Sequence, residues 1–269
     1  MNEKKVCDAH IHLVQCSKNS SLNSLESFFQ KINDSSKNYY ACTCAHSIDE
    51  FFEQEKICKK FENDFSIRFI KTFGIHPQNP CVQNIQFLEK LLNENKINAI
   101  GEAGFDLFSE EFKQKIELQE KVWNVQLELA HNFSKPLVVH CRKGLQYVFR
   151  DFLLLKKVPS VIFHSFCGGF YETQGILKKG INAYFSFGKQ LLKGSKKSAE
   201  CVRLLPESHL LFETDAPFQT LKDESFTNLC DIKKVYEKGI ALRFDEKKID
   251  IEKFYETIYQ NFCNCFLLN

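Results

Sequence analysis

The chain has 269 residues and a mass of 31.4 kDa, a length that fits one α/β barrel or two small domains. Hydrophobic residues at 43% and charged residues at 26% match a globular composition and exclude collagenous, fibrous and extensively disordered chains. The formal charge of +2, from 36 Lys+Arg against 34 Asp+Glu, excludes a broadly cationic coat, so any contact with nucleic acid must be local.

The 12 Cys include Cys42-x-Cys44 and Cys263-x-Cys265 but no CxxC pair, which argues against a zinc ribbon or a thioredoxin-like motif and for buried free thiols. The run from Met1 to Asp8 lacks the apolar core of a signal peptide, and no stretch approaches the ~18 apolar residues of a membrane span. The expected location is a reducing cytoplasm, or the nucleus of a eukaryotic cell, with no membrane partner. The 27 Phe and the excess of Lys over Arg read as compositional background.

Short β-like runs alternate with helix-length amphipathic segments throughout. The first strand is expected at Val6–Ala9, followed by a helix over Leu22–Lys31. Then come strand Tyr39–Cys44 with helix Ile48–Phe61, strand Ile67–Phe73 with helix Ile85–Asn95, and strand Asn98–Gly101 with helix Phe112–His131. The second half repeats the pattern: Leu137–Val139 with Leu145–Lys156, Val161–Phe163 with Tyr171–Lys179, Asn182–Phe185 with Ala199–Leu205, and Leu210–Phe212. A last helix is expected over Ile249–Phe266. Eight strand–helix units without a Gly-, Pro- or Ser-rich linker predict an α/β fold, a (β/α)8 TIM barrel forming a single domain over residues 1–269.

The residues at the strand ends are informative. The first strand leads into Asp8-Ala9-His10-Ile11-His12, whose two His project from one face of an extended chain and can grip one metal ion. The third leads into Gly74-Ile75-His76-Pro77 and the fourth into Gly101-Glu102-Ala103-Gly104-Phe105-Asp106. His140-Cys141-Arg142, His164-Ser165-Phe166 and Glu213-Thr214-Asp215-Ala216-Pro217 come after the fifth, sixth and eighth. Each signal alone is weak, and a lone His at a strand end is more often structural. Parallel barrel strands, however, all end on one face, which brings His10, His12, Glu102, His140, His164 and Asp215 into one bowl. Four imidazoles and two carboxylates suit Zn²⁺, Mn²⁺, Fe²⁺ or another divalent ion, with room for two if one carboxylate bridges. If these were only core polar residues, six costly groups would face one cavity by coincidence.

In this order and at these spacings the motifs resemble the TatD family of metal-dependent deoxyribonucleases. The resemblance runs from Asp8 through Pro136–Arg142 and Phe185-Ser186-Phe187-Gly188 to Asn261-Phe262. It implies a metallo-dependent hydrolase with one or two divalent ions (Mg, Mn or Zn) that cleaves DNA, single-stranded or at 3′ ends, as a 3′–5′ exonuclease, with no protein partner required. It also implies one metal on His10, His12, Glu102 and Asp215 and a second on Glu102, His140 and His164, with Glu102 bridging. Asp215 then orients an activated water and accepts its proton. His76 reads as a phosphate or leaving-group contact or as a structural residue, and Arg142 as a phosphate clamp or as the partner of a neighbouring acid.

The chain departs from the family pattern in places. Gln219–Asn228 reads QTLKDESFTN, with Lys222 its only base, where relatives carry more basic residues and a trailing Glu-Pro. Lys143 stands where an acid is usual. Lys189 and Lys193 are candidates to replace missing phosphate contacts, against a reading as solvated surface. Phe105, Phe166 and Phe218 are candidate base-stacking groups, against a reading as core. Two other functions fit the same features: a same-fold hydrolase acting on a small phosphoester or amide, and a metal-binding scaffold without turnover. Intact ligand positions weigh against the scaffold. Glu102, with no Lys at the fourth strand end, favours the nuclease-like bridge over a carboxylated lysine.

Overall fold

The structure, a computed structural model, describes residues 5–34, 38–244 and 250–268. Its strands are β1 (Lys5–Ile11), β2 (Asn38–Ala45), β3 (Ile67–Phe73), β4 (Ala99–Asp106), β5 (Leu137–Arg142), β6 (Val161–Phe163), β7 (Ala183–Phe187) and β8 (Leu210–Phe212). They pair in parallel in sequence order. A parallel bridge between Ile11 and Ala216, with His12 N donating to Ala216 O at 2.8 Å, joins the two edges. The architecture is a (β/α)8 TIM barrel, as expected.

The helices are α1 (Leu13–Asp34), α2 (Ile48–Asp64), α3 (Asn84–Asn93), α4 (Glu110–Lys113), α5 (Ile116–Asn132), α6 (Leu145–Arg150), α7 (Phe152–Leu155), α8 (Phe170–Lys178), α9 (Lys196–Leu204), α10 (Ile232–Phe244) and α11 (Ile251–Cys265). None of them is long and apolar enough to cross a membrane. The strands are mostly buried on both faces because helices cover the outside and side chains fill the inside; all of β4 is buried. The thiols are free, and of the twelve only Cys167 and Cys230 are exposed.

Several elements differ from expectation for identifiable reasons. β1, β4 and β5 run further than their apolar cores, so His10, Glu102 and His140 lie inside strands. α1 begins at Leu13 although its Ser/Asn-rich middle hides the helical period. α10 is unexpected, because Gly239 interrupts its pattern; a side chain there would strike the Phe212 ring, so the glycine lets the helix lie against β8. The expected helix over Leu145–Lys156 divides at Asp151, whose carboxylate accepts from Trp123 Nε1 at 2.8 Å. The start of the last expected helix, Ile249, lies outside the described residues.

Two buried glutamines of α5 hold the strand ends that carry the site. Gln126 accepts from Ile75 N at 2.7 Å and donates to Ile75 O at 3.2 Å, while Gln119 accepts from Asp106 N at 2.9 Å and donates to Asp106 O at 3.1 Å. At the other end of the barrel, Asn261 of α11 donates to Glu207 O and Leu210 O at 2.6 and 2.9 Å, pinning the start of β8. Each such bond satisfies a backbone group that burial would otherwise leave unpaired.

Asp8 closes the ring. It is fully buried, accepts from Thr214 N and Thr214 Oγ1 at 2.8 Å each and from Tyr39 OH at 3.2 Å, and so ties β1 to β2 and to the loop after β8. Burial pushes its carboxyl up to about 8 against the pull of the Thr214 hydrogen bonds. Replacing Asp8 by Ala leaves these buried donors without an acceptor. The variant should lose roughly 2–4 kcal/mol of stability, read from the urea midpoint; an unchanged midpoint would remove Asp8 from the closure.

Candidate metal centre

Backbone irregularity aims the central side chains. The β1–β2 register shifts between Asp8 and Ile11, and the β4–β5 register shifts between Ile100 and Ala103. His10 and Glu102 lie in those two stretches, and such bulges re-aim side chains at barrel rims. Gly104 allows the close approach of β5: a side chain there would run into the His140 carbonyl. Asp215 has φ of 55°, a left-handed conformation that Asp tolerates better than most residues, and its N–H donates to His10 O at 3.0 Å.

The six expected residues are buried and converge on Glu102. Glu102 Oε2 lies 3.4 Å from His10 Nε2 and 3.5 Å from His12 Nε2. Its other oxygen, Oε1, lies 2.6 Å from His164 Nε2 and 3.4 Å from His140 Nδ1. Asp215 Oδ1 closes the first side at 3.3 Å from His12 Nε2 and 3.8 Å from His10 Nε2. His76 Nε2 is 3.8 Å from Glu102 Oε1, so it stands at the edge of the same cluster. All of these side chains but the fully buried His10 line a cavity of about 590 Å³, together with Arg142, Lys193, Phe218 and Gln219.

A further imidazole, at the end of β2, lies outside the set expected from the sequence. His46 Nδ1 lies 3.3 Å from Gly74 O, to which it can only donate, and this leaves Nε2 facing Glu102 Oε2 at 2.9 Å. The ring is set by the start of α2, where the N-cap Ser47 accepts from Glu50 N and the Glu50 carboxylate accepts from His46 N at 2.8 Å. Scanning the residues after every strand finds it, since it comes directly after Cys44-Ala45.

Electrostatics favour anionic carboxylates here. Burial opposes charge on Glu102, but the imidazoles of His164, His10 and His76 outweigh it and hold the carboxyl well below the usual range. Burial is likewise outweighed at Asp215 by His12 and His10. Glu102 in turn overcomes burial to raise His164 and His46. Burial lowers His10 and His76, assisted by His164 and by His140 respectively.

Acids stand behind the ligands. Asp106 Oδ2 accepts from His140 Nε2 at 3.0 Å and from Gln78 Nε2 at 2.8 Å. The buried Glu213 lies 3.8 Å from His164 Nδ1. An acid hydrogen-bonded as Asp106 is to His140 fixes the tautomer and orientation of a metal-binding imidazole.

The residues fit a divalent ion. Three overlapping sets of donor atoms each lie within 4.8 Å of one another: His10, His12 and Glu102; His10, His164 and Asp215; His76, Glu102 and His140. His10 Nε2 and His12 Nε2 are 3.2 Å apart, and His140 Nδ1 and His164 Nε2 are 3.1 Å apart. Two nitrogens on one tetrahedral ion at ~2.05 Å would be about 3.3 Å apart. Nitrogen and carboxylate donors without a thiolate suit Zn²⁺, Mn²⁺ or Mg²⁺ more than a thiophilic ion.

The family described as TatD related DNase matches residues 7–267. The chain belongs to the TatD family. An uncharacterized metal-dependent hydrolase of Mycoplasma genitalium is 26% identical over 266 residues, covering 94% of this chain and 96% of its own. A 3′-5′ ssDNA/RNA exonuclease TatD of Erwinia amylovora is 31% identical over 159 residues, 56% of this chain and 60% of its own. Among solved structures, a TatD homolog from Escherichia coli superposes with a TM-score of 0.82 at 19% identity, covering 98% of both chains. This TatD-family chain is therefore a metal-dependent hydrolase.

In this TatD chain burial overturns both readings of Lys189 and sorts the three candidate rings. Lys189 is fully buried: its ammonium is 2.8 Å from Asp231 and 3.2 Å from Thr227 Oγ1, and it also pairs with Glu224. A buried ammonium stays charged only with such partners, so Lys189 orders the loop after β8 and does not face the cavity; the exposed Lys193 does. Phe105 and Phe166 are core, whereas Phe218 is 49% exposed at the cavity.

Metal stripping should lower the melting temperature and Mn²⁺ should restore it. An ion at 100 times its Kd contributes about 2.7 kcal/mol. In Glu102→Ala the Mn²⁺-dependent shift should vanish; its persistence would place the ion elsewhere.

Proposed function

We propose that the chain, acting as one barrel domain, hydrolyses phosphodiester bonds of single-stranded DNA, working from the 3′ end with divalent ions at the Glu102 cluster. The observation that supports this most is the sharing of one buried carboxylate by imidazoles from several strand ends, in a chain whose relatives include named 3′-5′ exonucleases. His10, His12, Glu102 and Asp215 would hold one ion, and Glu102, His140 and His164 a second. Bound there, such ions supply Lewis acidity and positive charge toward a phosphate.

The chain's own groups do the rest. Asp215 is ionised at neutral pH, with Oδ1 on the His10/His12 side and Oδ2 accepting from Gln219 Nε2 at 2.9 Å. This leaves it oriented to take a proton from an attacking water. His76, partly exposed at the cluster edge, faces the cavity where a phosphate oxygen or leaving group would lie. Arg142, also at the cavity wall, offers a forked donor to a phosphate. The cytoplasm, or the nucleus in a eukaryote, supplies such strands.

With Mg²⁺ or Mn²⁺ the protein should shorten single-stranded oligonucleotides from the 3′ end, and a chelator should stop it. Asp215→Asn should slow turnover by about 10²–10⁴-fold while retaining most of the metal. Wild-type rates in that variant would overturn the base assignment. Turnover of an amide with every nucleic acid left intact would overturn the nuclease reading.

A further inference from the structure

Phe108, just past β4, is a large aromatic ring left 56% exposed at the mouth of the barrel. It is held in place: its N–H donates to Asp106 Oδ1 at 2.9 Å, while Asp106 Oδ2 holds the His140 ring. One buried carboxylate thus links the ring's position to the metal cluster. The Arg142 guanidinium carbon stands 4.1 Å from the Phe108 ring centroid, with NH1 3.7 Å from Asp106 Oδ2. Lys143 Nζ stands 5.0 Å from the same centroid, on a backbone with φ of 58° that a lysine adopts only under constraint.

Apart from Asp106, which Arg142 approaches at 3.7 Å, the nearby surface acids are engaged by other cations. Glu110 is paired with Lys113 at 3.0 Å and Glu111 with Lys115 at 2.8 Å. Across the bowl, on the loop after β8, stands the second exposed ring, Phe218, edge-on to His12 at 4.9 Å. In an eight-stranded closed sheet β8 and β4 lie on opposite sides, so the two rings follow strands on opposite sides of the barrel.

We propose that Phe108, Arg142 and Lys143 form a subsite for an unpaired nucleotide next to the scissile phosphate: the ring stacks the base and the two cations hold its phosphate. The chemistry is that of single-strand binding, an aromatic face beside positive charge, and it is closed to paired bases. This rests on the reading of the chain as a nuclease and deepens it by naming what the strand needs beside its phosphates, namely a free base.

The test is binding by metal-free protein, read by fluorescence anisotropy of labelled strands of equal length and charge. Oligothymidylate should bind about 10-fold or more tightly than an abasic strand, and a duplex should bind no better than the abasic strand. Phe108→Ala should erase the preference for bases. Phe108→Trp should keep it, and the new indole's fluorescence should be quenched by oligothymidylate but not by the abasic strand. Arg142→Ala should weaken both strands alike. Equal binding of both strands by the wild type, no binding of either, or a preference that survives Phe108→Ala would each overturn the subsite. If binding behaves as described but no nucleic acid is cleaved with metal, the nuclease reading fails and the subsite stands. If strands are cleaved and Phe108→Ala keeps the preference, the reverse holds.

Discussion

One carboxylate organises this molecule. Glu102 is buried, anionic and within 4 Å of imidazole nitrogens carried within β1 and β5 and just past the ends of β1, β2, β3 and β6. A charge so placed is costly unless it is compensated, and the compensation must come from side chains that sequence scatters over most of the chain. The barrel supplies it by ending all its strands on one face. Register shifts in β1 and β4 then turn His10 and Glu102 inward.

The surrounding structure keeps that arrangement rigid. Asp8 joins β1 to the Thr214–Asp215 loop, so the ring closes at the point where Asp215 meets His10 and His12. Gln119 and Gln126 fix the ends of β4 and β3 from a single helix. Asp106 carries the order outward, from His140 in the cluster to Arg142 and Phe108 at the rim. Lys189 does the same for the loop after β8, holding two of its acids from beneath. Chemistry and rim therefore share Asp106 as a support, while Lys189 holds the loop after β8 through separate contacts.

Much of this was legible in the sequence because the rule involved is simple. Parallel barrel strands place the residues at their C-terminal ends in one bowl, so His10, His12, Glu102, His140, His164 and Asp215 could be gathered from local runs of sequence alone. His46 obeys the same rule and was within reach, but a polar residue after a strand with two thiols carries little signal by itself. Lys189 was not legible. Its partners Glu224 and Asp231 lie far along the chain, and nothing local distinguishes a lysine that faces phosphate from one sealed under a loop. Asp106 stands inside a strand-end motif, yet its hold on His140, Arg142 and Phe108 exists only once β4 and β5 are paired. α10 was hidden by Gly239, whose reason is the Phe212 ring on another element.

The sharing of Glu102 is tested most directly by anomalous scattering from crystals of the Mn²⁺-loaded protein. Metal density is expected within bonding distance of the Glu102 carboxylate, flanked by His10, His12 and Asp215 on one side and by His140 and His164 on the other. Metal bound away from Glu102, or a bowl that stays free of metal at saturating Mn²⁺, would contradict it.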